Sequence, residues 1–208
     1  MAKNIKHSKR LELLCVGFLA LCLVLVNLAD QARTVSALQS RVLRLHVIAN
    51  SDAEADQAVK LLVRDAVLRA AADFFDGSVT ADDAEARLSE HLDTINGAAA
   101  DTLRANGMDY GVKTEIVTED FPARQYNDLT LPAGRYKAVR VVLGEGAGHN
   151  WWCVMFPPLC LPAVTKEEEE AYFTDDEMKI LKPEGSFAVR VKVWDWVCDL
   201  WAYFSGNR

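Results

Sequence analysis

The residues with the clearest chemical potential lie between Gly144 and Cys160, GEGAGHNWWCVMFPPLC. A thiol nucleophile needs an imidazole within hydrogen-bond reach and an oxyanion donor nearby. His149 and Cys153 are four residues apart, which on a strand returns to one face at about 13 Å, too far without a bend. His46 offers a second imidazole, with Asp52 or Asp65 as carboxylate, but the chain contains no G-x-S-x-G nucleophile. Gly144, Gly146 and Gly148 could cradle a phosphate. The dinucleotide pattern would then need glycine at 149, where His149 stands, and the run leads to another strand and not to a helix. Neither a C-x-x-C pair nor an H-E-x-x-H motif occurs, so neither metal nor cofactor is expected. The glycines read instead as a hairpin bend, tipped by Trp151 and Trp152.

Cysteine has a second use here. Cys153 and Cys160 are close enough to bridge, closing an eight-residue loop that would add roughly 2.5 kcal/mol on the chain-entropy model. Two buried free thiols are the equal alternative. Cys15 and Cys22 fall in an apolar segment, and Cys198 is the odd residue, expected in the core.

That apolar segment sets the compartment. Lys3, Lys6, Lys9 and Arg10 precede an uninterrupted apolar run from Leu13 to Val26. Fourteen residues give about 21 Å of helix against a hydrocarbon core of roughly 30 Å. The run therefore suits a signal peptide with a cleavage site at Val35-Ser36-Ala37, or a retained signal anchor if extended from Leu11 to Ala29. Either way residues 1–37 are a targeting segment and residues 38–208 one exported domain. The chain has net charge −7, and residues 1–37 hold five basic against two acidic side chains, so the remainder stands at −10. Such a domain repels phosphate backbones, and nucleic acid is not an expected partner.

The elements that must position these residues follow from periodicity. Val42–Ala49 reads as a strand, and Asn50-Ser51-Asp52 stops it. Ser51 with Glu54 makes a capping box for a helix whose apolar stripe is Val59, Leu62, Val63, Ala66, Val67, Ala70 and Phe74. A second helix is expected from Ala81 to Ala105, capped by Thr80 and by Asn106-Gly107, with Leu88, Leu92, Ile95, Ala99 and Leu103 inward. Strands follow at Tyr110–Glu119, Tyr136–Leu143 and Trp152–Phe156. Residues 166–173 read as an acidic helical face, and the tail as a strand from Phe187 and then a Trp-rich helix. This order predicts an α+β two-layer domain, with a mostly antiparallel sheet and two long helices.

The segments RLHVIANSDAEADQAVKLLVRDAVL (44–68) and LPAGRYKAVRVVLGEGAGHNWWCVMFPPLC (131–160), with the apolar segment, resemble the stage II sporulation protein R family of endospore-forming bacteria. The resemblance covers residues 10–160 and is loose beyond them. It implies a protein that is not an enzyme but a signal, exported from the forespore into the intermembrane space. There it would activate a membrane-embedded aspartic peptidase, stage II sporulation protein GA, which processes pro-sigma-E. It implies no catalytic, cofactor, metal or small-molecule site. His46, Asn50, Ser51, Asp52, Arg64, Glu145, His149, Asn150, Trp151 and Trp152 become the candidate partner contacts, with the membrane a further contact if the N-terminal segment stays uncut. The competing reading is an exported hydrolase using Cys153, His46 or His149.

Overall fold

A computed structural model describes residues 2–75, 80–126, 128–159 and 172–182. The chain divides into two compact units, Met1–Ala37 and Leu38–Arg208. The first is helical: α1 runs from Ala2 to Ser40. Its 27 residues from Leu14 to Ser40 are long and apolar enough to cross a membrane. Leu14, Phe18 and Val26 lie exposed along it. Helical pairing thus continues well beyond the fourteen-residue run and passes through Val35-Ser36-Ala37.

The second unit is α+β. Its main sheet has strand order β2-β5-β1-β6, formed by β1 (Leu43–Ile48), β2 (Val112–Phe121), β5 (Gly134–Leu143) and β6 (Asn150–Phe156). A separate hairpin joins β3 (Arg124–Tyr126) to β4 (Leu129–Leu131). Strand β1 runs parallel to β5 and antiparallel to β6, and β2 is antiparallel to β5. Alternation divides the faces. Leu43, Leu45, Val47, Val139, Val141, Leu143, Cys153 and Met155 point into a core shared with the helices. Arg44, His46, Arg140 and Trp152 occupy the opposite face.

Helix α2 (Glu54–Phe75) buries Val59, Val63, Val67, Leu68 and Ala71. Leu62, expected inward, is exposed, because the stripe turns toward Leu68 and Ala71. The expected Ser51–Glu54 capping box is replaced. Ser51 Oγ accepts from Ala53 N–H at 3.1 Å and donates to Asp56 Oδ2 at 2.6 Å. The single helix expected at 81–105 is two, α3 (Ala81–Glu90) and α4 (Leu92–Ala105). They break at His91, whose backbone leaves helical geometry and whose ring stacks on Phe74 at 4.2 Å. Thr80 forms a capping box with Asp83, and Asn106 and Gly107 end α4, as their residue types predict.

The glycine segment departs most from expectation. Strands β5 and β6 are not a hairpin, because β1 lies between them. Residues 144–149 cross over the C-terminal end of β1. Trp151 and Trp152 are not at a tip but inside β6, on opposite faces. A short helix α5 (Asp175–Leu181) completes the described elements. Its buried Glu177 accepts a hydrogen bond from Arg41 Nη1 at 2.9 Å. Cys160, Cys198 and the tail elements expected from Phe187 onward lie outside the described residues, as does all of 166–173 but Tyr172 and Phe173.

Candidate functional site

The crossover brings the two distinctive sequence segments to one end of the sheet. Four N–H groups of residues 144–149 end on the turn after β1. Glu145 N–H donates to Asn50 Oδ1 at 3.0 Å, Ala147 N–H to Asn50 O at 3.0 Å, Gly148 N–H to Ala49 O at 2.9 Å and His149 N–H to Asp52 Oδ1 at 2.7 Å. Gly144 adopts φ 53°, and a Cβ there would meet Asn50 Oδ1 at 2.1 Å, which is why no side chain is tolerated. Gly144 N–H bonds instead to Gly111 O at 2.9 Å and Gly146 N–H to Leu143 O at 3.0 Å, so the segment offers no row of free N–H groups to a phosphate.

Asp56 is the hub beneath this surface. It sits in the first turn of α2, where a carboxylate is favoured. It accepts from Asn50 Nδ2 at 2.8 Å, Ser51 Oγ at 2.6 Å and Tyr110 Oη at 2.7 Å. These bonds, the Ser51 hydroxyl first, hold its carboxyl below the usual range. Burial, and then the bond to Asp56, pushes the Tyr110 phenol well up. Tyr110 therefore acts as a neutral donor and not as a base. Lys60 is buried and reaches Gln57 Oε1 at 2.6 Å and His149 O at 2.9 Å. Burial lowers its pKa, and the nearby Asp52 charge counters that. Asp52 is itself held below the usual range, chiefly by the His149 N–H.

His46 occupies a different setting. It is buried, stacked on Trp152 with centroids 3.7 Å apart. Its Nδ1 lies 2.7 Å from Glu119 Oε1 and its Nε2 lies 3.0 Å from Asn150 Oδ1. In register, Glu115, Arg140, His46 and Trp152 form one row across all four strands. Arg140 binds Glu115 at 2.5 Å and Glu119 at 3.4 Å. Beside this row Arg44 is wholly buried. Its guanidinium lies 4.1 Å from the Phe121 centroid and 4.9 Å from that of Tyr136, and Nη2 donates to the Tyr126 hydroxyl. Nε and Nη1 are buried without a hydrogen-bond partner among the described residues.

The candidate residues therefore fall into layers. Asp52, Glu145, His149 and Asn150 are exposed, with the Asp52 carboxylate against the His149 ring. Asn50 and Ser51 hold the turn from within. Arg64 lies over the Trp151 ring at 4.5 Å, so these two residues pack on each other at the flank. His46 and Trp152 stiffen the far face. Tyr110, Asp56, Glu119, Arg140 and Arg44 were missed as parts of this architecture. The visible signal was the two guanidinium groups of Arg44 and Arg140 and the polar ring of His46 within otherwise apolar strands, where a buried polar group needs a partner.

Cys153 is buried and disulfide-bonded, with its partner outside the described residues, so the expected pairing with Cys160 cannot be placed among them. A sulfur held in a disulfide is not a thiolate nucleophile. Among the described residues, no group of three or more His, Cys, Asp or Glu is arranged to hold a metal ion.

Residues 39–166 match the family model for stage II sporulation protein R. The chain is 29% identical over 197 residues to stage II sporulation protein R of Bacillus subtilis (strain 168), covering 88% of both proteins. No solved structure matches.

Proposed function

The chain belongs to the stage II sporulation protein R family, and we propose that it is an exported sporulation signal that activates the membrane-bound peptidase of pro-sigma-E processing, stage II sporulation protein GA. The receptor-facing surface in this reading is the crossover at 144–149 together with the turn at 50–52. One observation carries it. The backbone of the crossover is tied down by Asn50, Asp52 and Ala49, while Asp52, Glu145, His149 and Asn150 stay exposed on that rigid base. A preorganised surface loses little conformational freedom on binding. The apolar helix α1 supports export or anchoring, being compatible with either a cleaved signal or a retained span. In this reading the peptidase carries out the chemistry and the present chain is what it recognises.

The test is co-expression of the full chain with the peptidase and pro-sigma-E in a non-sporulating host. Cleavage of pro-sigma-E is expected only when all three are present. If all three accumulate and pro-sigma-E stays intact, the reading fails.

A further inference from the structure

Residue 149 is held at three of its four polar groups. Its N–H donates to Asp52 Oδ1 at 2.7 Å, and its carbonyl accepts from Lys60 Nζ at 2.9 Å. Its ring Nδ1 meets the same Asp52 oxygen. Only ring Nε2 has no partner among the described residues, on a side chain that is 76% exposed. An ionised carboxylate can only accept, so Nδ1 carries the hydrogen. A neutral imidazole has one N–H, which leaves the lone pair on Nε2. We propose that His149 Nε2 accepts a hydrogen bond from a lysine or arginine side chain of the peptidase, and that Asp52 is the positioning residue that fixes its tautomer. This rests on the signalling function proposed above and names the chemistry that the partner brings to that surface.

The ring contact does more than the fold requires. The crossover is already tied to the turn after β1 by the N–H groups of Glu145, Ala147, Gly148 and His149. The Nδ1 contact ends on an Asp52 oxygen that the main chain of the same residue already holds, so it joins no new pair of segments. An exposed pair of this kind contributes little to stability. What it decides is direction. A carboxylate on Nδ1 sets which ring nitrogen offers its lone pair, as it does for the imidazole of a hydrolase triad. Here the ring is held before any partner arrives, so little side-chain freedom is lost on binding.

Charge selects the donor. Asp52, Glu54 and Glu145 are exposed around the turn and the crossover. Of the lysines at this end, Lys60 is buried and turned to Gln57 and to the His149 carbonyl, and Lys113 is paired with Glu115. A cationic donor is drawn to such a surface and an anionic group is repelled. A hydrogen bond from a charged donor is also the stronger kind.

Two measurements on the full chain test this. Nitrogen NMR of the histidine rings in detergent, at mildly alkaline pH, should show His149 in the Nδ1–H form, assigned by the signals lost in His149→Ala. Asp52→Asn keeps an oxygen for the His149 N–H but turns an amide N–H toward Nδ1, so the ring should change to the Nε2–H form. A parent ring in the Nε2–H form overturns the proposal. In co-expression with the peptidase and pro-sigma-E, Asp52→Asn and His149→Ala should each lower cleavage about tenfold, as loss of a charge-assisted hydrogen bond does. His149→Gln, whose amide oxygen reaches the Nε2 position, should recover more cleavage than His149→Asn. His149→Lys, which sets like charge against the donor, should fall below His149→Ala. Should Asp52→Asn fail to fold, the contrast between glutamine and asparagine at 149 still decides. No cleavage with the parent chain strikes the signalling function itself. Parent-level cleavage in His149→Ala, equal cleavage in the glutamine and asparagine variants, or a lysine variant equal to alanine overturns this proposal alone.

Discussion

Gly148 and Ser51 are in backbone contact: a Cβ built on Gly148 would stand 2.2 Å from the Ser51 carbonyl oxygen and 2.9 Å from Ala49 Cβ. The turn after β1 and the crossover must therefore separate if residue 148 gains a side chain. Gly148→Ala is expected to cost about 1–3 kcal/mol, as overpacking does. Gly97, inside α4 with open space around its Cα, should respond in the opposite sense, Gly97→Ala gaining about 0.5–1 kcal/mol. Urea unfolding of the two variants decides it. Equal effects would show that the contact is not what demands glycine at 148.

The depressed Asp56 carboxyl makes a prediction in pH. Its folded value lies below its unfolded value of about 3.9, so its stabilisation is present above that pH. It is lost as pH falls through the folded value. The stability gap between the parent chain and Asp56→Asn should be widest above about pH 4 and close below it. Tyr110→Phe, which removes one donor to Asp56, should cost about 1 kcal/mol at neutral pH. A gap that stays constant from pH 7 to about pH 2 would remove the carboxylate from its place as hub.

Arg44 is a buried cation facing rings and one hydroxyl, with two nitrogens unmatched among the described residues. Burial pushes its pKa down. Arg44→Met keeps most of the volume and removes the buried charge, so it should raise stability by about 1–3 kcal/mol. Arg44→Ala leaves a cavity and should lower it by about 2–4 kcal/mol. Thermal and urea unfolding measure both. A methionine variant weaker than the parent would show that the ring contacts outweigh the desolvation of the guanidinium.

The disulfide at Cys153 has an expected partner in Cys160. Non-reducing peptide mapping should recover the two residues in one linked fragment. Cys153→Ser with Cys160→Ser should lose roughly 2.5 kcal/mol yet keep part of the pro-sigma-E response. A fragment linking Cys153 to Cys198 refutes the pairing.

Exposed and buried candidates should separate in the signalling assay. Glu145→Ala and His149→Ala change side chains whose backbone groups hold the crossover, so folding should be retained. If either is a binding anchor, its loss costs about 2 kcal/mol, or roughly thirtyfold in the concentration giving half-maximal cleavage. His46→Ala should instead lower stability, because it removes the bridge from Glu119 to Asn150. Full activity in both exposed variants would move the receptor-facing surface elsewhere.

Much of this was legible locally. Branched residues and period-two alternation located β1, β2, β5 and β6 within a few positions, and Thr80 and Asn106-Gly107 bounded the helices they were expected to bound. The break at His91 was not legible, because it answers to the ring of Phe74 seventeen positions earlier. Nor was the role of Ser51: its spacing to Glu54 fits a capping box, but Asp56 competes for the same hydroxyl once Asn50 and Tyr110 converge on it. The hairpin β3–β4 was missed because its three-residue strands are too short to show a period.

What the chain's order of residues determined by itself was the type of the longer elements, the apolar N-terminal segment, and the need for bare backbone at 144, 146 and 148. Those depend on side-chain periodicity and steric size, which act over a few positions. Only the tertiary structure decided that β1 slides between β5 and β6 and turns an apparent hairpin into a crossover. Alternation tells a strand which face is buried but not which strand is its neighbour. Neighbours are chosen by long-range packing of both faces at once, and that choice set the exposed crossover against the turn at 50–52.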